Sequence, residues 1–193
     1  MEIEGRRLEV LLVEDSIGDV RLTREAFREA NDAINLYVAT DGIEALAFLK
    51  REGDYIFCPR PDLILLDLNM PKMDGRELLA ILKVDEDFKT IPVVILTTSN
   101  TEGDITKSYQ LSANCYLSKP VQLDEFEALV KSISDFWLTK VSLPKIPPPG
   151  GVGARVEGLA SGSRGTHSAT EDSSEFWQEM PPLPAKGAEA RIP

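Results

Sequence analysis

The chain has 193 residues, 42% of them apolar and 27% charged, and a formal charge of −11 from 32 acidic against 21 basic residues. That acidity argues against a long basic face for nucleic acid or anionic lipid, and no apolar run approaches the ~20 residues of a membrane span. Two cysteines, Cys58 and Cys115, and one histidine, His167, are too few for a zinc quartet, a disulfide framework or His-based catalysis. The opening residues lack the apolar stretch of a secretory signal, so a cytoplasmic protein is expected.

Five short apolar, β-branched runs are predicted as strands: Leu8–Val13, Ile34–Val38, Leu63–Leu66, Val93–Leu96 and Tyr116–Leu117. Between them lie stretches with helical spacing. Val20, Phe27 and Ala30 share one face with Thr23 as a polar gap; Ala45, Phe48 and Leu49 form a second, opened by Asp41-Gly42; Leu78, Leu79 and Leu82 form a third. Thr101–Leu111 carries little more than Ile105, Tyr109 and Leu111, so it is expected to be the least stable helix. The last helix is the clearest, with Leu123, Phe126, Val130, Ile133 and Trp137 at steps of three and four. Strands alternating with helices predict an α/β, doubly wound fold, a parallel sheet with helices on both faces.

Composition changes near Leu143. Residues 144–193 hold 8 of the 13 prolines and 7 of the 13 glycines, and only 7 Leu, Ile, Val or Phe, which predicts a disordered tail after a folded domain over 1–143. Pro181-Pro182-Leu183-Pro184 and Phe176-Trp177 in that tail could dock a partner groove, although a solvated tail is the plainer reading.

In a parallel sheet of this kind ligands sit at the carboxyl ends of the strands. There the sequence has Glu14-Asp15 after the first strand, Asp67-Leu68-Asn69 after the third, Thr97-Thr98-Ser99 at the fourth and Ser118-Lys119-Pro120 at the fifth. Each signal alone is weak: an acidic pair after a strand usually starts a helix, and a lone lysine is usually solvated. Together they predict an oxygen-only site. Carboxylates about 4 Å apart repel by about 4 kcal/mol at an effective dielectric near 20. Such a cluster either raises its pKa values or holds a hard divalent cation, with Mg²⁺ suiting carboxylate, water and phosphate ligands. A carboxylate beside Mg²⁺, a lysine and a hydroxyl is a candidate phosphoryl acceptor, expected to stand exposed at its strand end.

Val13-Glu14-Asp15-Ser16, Asp62 through Gly75, Ile95 through Ser99 and Tyr116 through Pro120 resemble, in order and spacing, the receiver domain of two-component response regulators. The resemblance covers about residues 8–138. It implies a (βα)5 fold with strand order 2-1-3-4-5 and a phosphorelay role in which Asp67 accepts a phosphoryl group from a sensor histidine kinase. It further implies that Glu14, Asp15, Asp67 and Asn69 hold Mg²⁺, Glu14 through water and Asn69 through its backbone carbonyl. Lys119 and Thr97 would contact phosphate, Thr97, Tyr116 and Pro120 would form the switch with a cis Lys119–Pro120 bond, and Asn69 and Ser99 would tune hydrolysis. Tyr116 read by itself is an ordinary strand aromatic.

Asp15 through Phe27, Arg60-Pro61-Asp62 and Leu117 through Val121 are similar to single-domain regulators paired with bacterial and cyanobacterial phytochrome kinases. That likeness implies homodimerisation through helix 4, strand 5 and helix 5, a face that would include Tyr109, Tyr116 and Trp137, although Trp137 read plainly packs the end of helix 5 against the sheet. No enzyme activity is expected beyond phosphorylation and dephosphorylation of its own aspartate. A phosphorylation-independent scaffold and an Mg²⁺-dependent phosphohydrolase remain as alternatives; the latter is disfavoured because Asp67-Leu68-Asn69 lacks a second acid.

Overall fold

A computed structural model describes residues 7–30 and 34–144. The tail motifs lie outside the described residues. The element order is β1 (Leu8–Val13), α1 (Ile17–Ala30), β2 (Ile34–Ala39), α2 (Gly42–Lys50), β3 (Leu63–Leu66), α3 (Gly75–Val84), β4 (Val93–Thr97), α4 (Glu102–Gln110), β5 (Cys115–Ser118) and α5 (Leu123–Thr139). A short 3₁₀ turn over Gly53–Tyr55, which the sequence does not announce, follows α2. The five strands form one parallel sheet in the order β2-β1-β3-β4-β5.

The three central strands are apolar at almost every position because both of their faces are covered. Leu11 and Val13 of β1, Ile64 and Leu66 of β3, and Val93 and Ile95 of β4 pack with α2 and α3. Their alternating neighbours Val10, Leu12, Leu63, Leu65, Val94 and Leu96 pack with α1 and α5, including Phe27, Phe126, Val130 and Ile133. The period of two thus divides the same strands between two cores.

Helix α3 is closed at its start by a reciprocal cap. The Asp74 carboxylate accepts from the amides of Arg76 and Glu77, and the Glu77 carboxylate accepts from the Asp74 amide. Asp41 caps α2 by accepting from the Glu44 amide at 2.9 Å. Helix α4 forms over the expected segment, and Ser108 is its sole buried residue. Polar ties at its first turn therefore carry much of its attachment.

Trp137 departs from the expected dimer face. Its ring is buried in the α1/α5 core, edge-on to the exposed ring of Phe136, while Tyr109 is exposed and Tyr116 half-buried. The indole belongs to the core that α1 and α5 form against the sheet, the plainer of the two readings of this residue. Among the described residues no peptide bond is cis, so the Lys119–Pro120 bond is trans, against expectation. Trans is the lower-energy form of an X–Pro bond when nothing enforces the alternative.

Candidate functional site

The register of the sheet brings four strand ends to one rim. Val13 is aligned with Leu66 and Thr97 with Ser118, so the residues just beyond β1, β3 and β5 converge with the end of β4. Glu14, Asp15 and Asp67 each present a carboxylate oxygen, and these oxygens lie within 4.8 Å of one another. Asp15 is exposed, whereas Glu14 and Asp67 are buried. The expectation of an exposed Asp67 is corrected: its side chain is 8% exposed, with the buried Lys119 ammonium 3.2 Å from one carboxylate oxygen.

Lys119 is the counter-charge, and it is buried rather than solvated. Its Nζ donates to Glu14 Oε2 at 2.5 Å, to Asp19 Oδ2 at 2.8 Å and to Asp67 Oδ2 at 3.2 Å. Burial alone would depress the lysine pKa, but the bonds to Asp19 and Glu14 outweigh it and hold the ammonium well above its ordinary range. Burial pushes the Glu14 carboxyl up to about 6, against the opposing pull of Lys119. Three carboxylates with no imidazole or thiolate make a donor set that fits a hard divalent cation and relieves their mutual repulsion.

Asn69 is exposed, and its amide donates to Asp67 Oδ1 at 3.2 Å, which fixes the carboxylate's orientation. The Asn69 side-chain amide reaches Thr97 Oγ1 at 3.5 Å, and the Ser99 amide reaches the same oxygen at 3.4 Å. Thr97 is fully buried and thus links the two residues expected to tune hydrolysis. The Tyr116 hydroxyl donates to the Ser99 carbonyl at 2.9 Å, with burial raising its pKa. Pro120 follows Lys119 and is half-buried.

Sequence reasoning missed three neighbours of this site. Asp19, one turn into α1, holds Lys119. Asp104 in α4 accepts from the Ser99 hydroxyl at 2.5 Å and from Arg76 of α3 through Nε at 3.0 Å and Nη2 at 2.5 Å. For Asp19 a signal existed, since Ser16-x-x-Asp19 opens a helix directly after Glu14-Asp15. For Arg76 and Asp104, 28 residues apart, no local pattern announces the pairing. A separate groove of about 320 Å³, lined by Arg51, Pro59, Arg60, Thr90, Pro92 and Pro144, carries none of the expected site residues.

A model of the response regulator receiver domain matches residues 10–131. The response regulator Rcp1 of Synechocystis sp. is 50% identical over 135 residues, which span 70% of this chain and 92% of that protein. Among solved structures, the phosphorylated cyanobacterial phytochrome response regulator RcpA matches with a TM-score of 0.69 at 47% identity, covering 72% of this chain and 99% of its own. The Mn²⁺-bound form of Rcp1 matches with a TM-score of 0.68 at 49% identity, covering 71% and 99%. The likeness therefore runs through the whole sheet and every strand end described above.

Proposed function

The chain belongs to the response regulator receiver family of two-component systems, closely related to Rcp1, and on that premise we propose that Asp67 is its phosphoryl acceptor. Membership implies a histidine kinase as partner, and receivers in general are not enzymes acting on other molecules. The observation that carries the assignment is Asp67 itself: a strand-end carboxylate within 4.8 Å of two others and 3.2 Å from a buried ammonium.

One Asp67 carboxylate oxygen attacks phosphorus of the kinase phosphohistidine. The O–P bond forms as the P–N bond breaks, and the electron pair leaves with the imidazole nitrogen. The Asn69 amide holds Asp67 for this attack, and Lys119 neutralises charge on the transferred oxygens. Glu14, Asp15, Asp67 and the Asn69 backbone carbonyl would hold Mg²⁺, whose charge, when bound, neutralises the phosphoryl oxygens. Thr97 then turns its hydroxyl to the phosphate, Tyr116 follows it inward, and Pro120 sets the Lys119 loop; Asn69 and Ser99 govern the access of hydrolytic water. Dephosphorylation of the same aspartate closes the cycle.

The finer reading is a cytoplasmic regulator of a phytochrome-type kinase that signals by protein contact, with a homodimer through α4, β5 and α5 and no nucleic-acid partner. The likeness to RcpA, a cyanobacterial phytochrome response regulator, supports the type of kinase. Among the described residues, no helix is long and apolar enough to cross a membrane. The same reading sets the receiver at 1–143 and the tail at 144–193, with protease cleavage expected between about residues 144 and 160.

Labelling with acetyl phosphate and Mg²⁺, followed by intact mass, tests the assignment. Wild type gains one phosphoryl group of about 80 Da, and Asp67→Asn gains none. An adduct on Asp67→Asn would move the acceptor elsewhere. The scaffold alternative predicts neither adduct nor release of phosphate from the donor.

A further inference from the structure

Helix α1 opens with Ser16-x-x-Asp19, the same spacing as the cap of α3, where Asp74 and Glu77 satisfy one another's backbone amides. In α1 only half of that exchange is made. The Ser16 hydroxyl accepts from the Asp19 amide at 3.3 Å, but the Ser16 amide donates to Glu14 Oε1 at 3.1 Å. The Asp19 carboxylate, at the position that would close the cap, lies instead 2.8 Å from Lys119 Nζ. Its orientation is therefore explained by the lysine and not by the helix.

An ammonium has three N–H donors, and those of Lys119 face three carboxylates, from Glu14, Asp19 and Asp67. Its donors are fully used before any phosphoryl group arrives. Of the three partners, Asp19 is the one outside the Glu14, Asp15 and Asp67 cluster. Its side chain is 31% exposed, against 2% for Glu14 and 8% for Asp67, so it is the partner that returns to water at least cost.

We propose that Asp19 is a positioning residue that holds Lys119 in the unphosphorylated receiver and competes with the incoming phosphoryl group for it. Asp19 thereby sets how readily Asp67 is phosphorylated, an inference that rests on Asp67 being the acceptor. A carboxylate on the same ammonium cancels part of the charge that would otherwise meet phosphate oxygens. Asparagine at this position keeps the size and an acceptor oxygen while removing that competing charge.

The test compares the full chain as wild type, Asp19→Asn and Asp19→Glu, each incubated with acetyl phosphate at saturating Mg²⁺ and followed by intact mass over time. Calorimetric titration of Mg²⁺ accompanies it. At sub-saturating donor, Asp19→Asn is expected to label roughly five-fold faster, the worth of about one partly exposed charge contact, through a lower half-saturating donor concentration. Asp19→Glu stays near wild type, and Mg²⁺ affinity stays within about three-fold in all three proteins, as expected for a carboxylate outside the ligand cluster. A merely structural role would instead slow labelling or weaken the metal. Equal or slower labelling of Asp19→Asn, with wild type labelling normally, overturns the inference alone. Absence of both an adduct on wild type and phosphate release from the donor would overturn the acceptor assignment and this inference with it.

Discussion

Gly75 lies directly against Asp67: a Cβ built on Gly75 would sit 2.1 Å from the Asp67 carbonyl oxygen and 2.8 Å from the Leu68 Cα. The Gly75 amide donates to the Leu68 carbonyl at 3.0 Å, so the first turn of α3 is sewn to the strand end that carries Asp67. The obstructing atoms are backbone and cannot swing aside.

Gly75→Ala is therefore expected to destabilise the protein by about 1–3 kcal/mol, the usual range for overpacking, although alanine is the better helix former. Because the displaced backbone is that of Asp67, acetyl phosphate labelling should slow as well. Urea unfolding measures the first effect and intact mass the second. A variant with unchanged unfolding midpoint and labelling rate would show that the loop yields freely.

Glu14 makes stability fall with pH in a defined window. Its carboxyl is pushed up to about 6 from an ordinary 4.5, so between these values the folded protein binds more protons than the unfolded chain. The stability owed to the protonated form is complete below about pH 4.5 and is lost as pH rises through 6. A shift of that size corresponds to about 2 kcal/mol. Urea unfolding in chelator across pH 4.5–7 should show this decline, and Mg²⁺ should reverse it, because the metal favours the ionised form. A flat profile in chelator would mean that Glu14 titrates normally.

How much of this was legible in the sequence depends on the range of the signal. The strands and helices announced themselves through local periodicity, and Asp67, its acidic neighbours and Lys119 through residue type at strand ends. Burial of Asp67 was not legible, since it is set by the assembled strand ends and by Lys119, 52 residues away, and not by a local pattern. Trp137 has the spacing of a core residue, and it is buried as that spacing implies. The Arg76–Asp104 pair and the turn of Asp19 toward Lys119 are products of the assembled fold, joining residues 28 and 100 positions apart.

The Arg76–Asp104 pair should govern the mobility of α4. That helix buries little, and its first turn is held by Arg76, by the Ser99 hydroxyl and by the Thr101 cap, whose hydroxyl accepts from the Asp104 amide at 3.1 Å. Hydrogen bonds from Ser99 and Arg76 hold the Asp104 carboxyl below its ordinary pKa. Asp104→Ala removes two of these ties at once and is expected to cost about 1–2 kcal/mol locally, or roughly ten-fold faster amide exchange in α4. Hydrogen exchange read by peptide mass should show the change in residues 102–110 and leave α1 and α5 unaffected. Unchanged protection of α4 would assign its stability to packing instead.

Asp41 and Lys72 offer an asymmetric pair for the final test. Asp41 is buried and caps α2, while Lys72, 2.5 Å away, is exposed. Burial would raise the Asp41 pKa, but the Lys72 bond and the Glu44 amide outweigh it and leave the carboxyl below its ordinary value of 3.8. The stability that the ionised form supplies is thus present above about pH 4 and lost as pH falls through the depressed value. Asp41→Ala should cost about 1–2 kcal/mol at neutral pH through the lost cap, and less at pH 3. Lys72→Ala should lower the unfolding midpoint at neutral pH by less than Asp41→Ala does, because the buried carboxylate loses its counter-charge but keeps the Glu44 amide. The amide of Gly42 donates to the Met73 carbonyl at 3.2 Å, so the β3–α3 loop keeps a main-chain tie to α2 in both variants. Equal losses in the two variants would show that the ion pair, and not the cap, secures this corner of the fold.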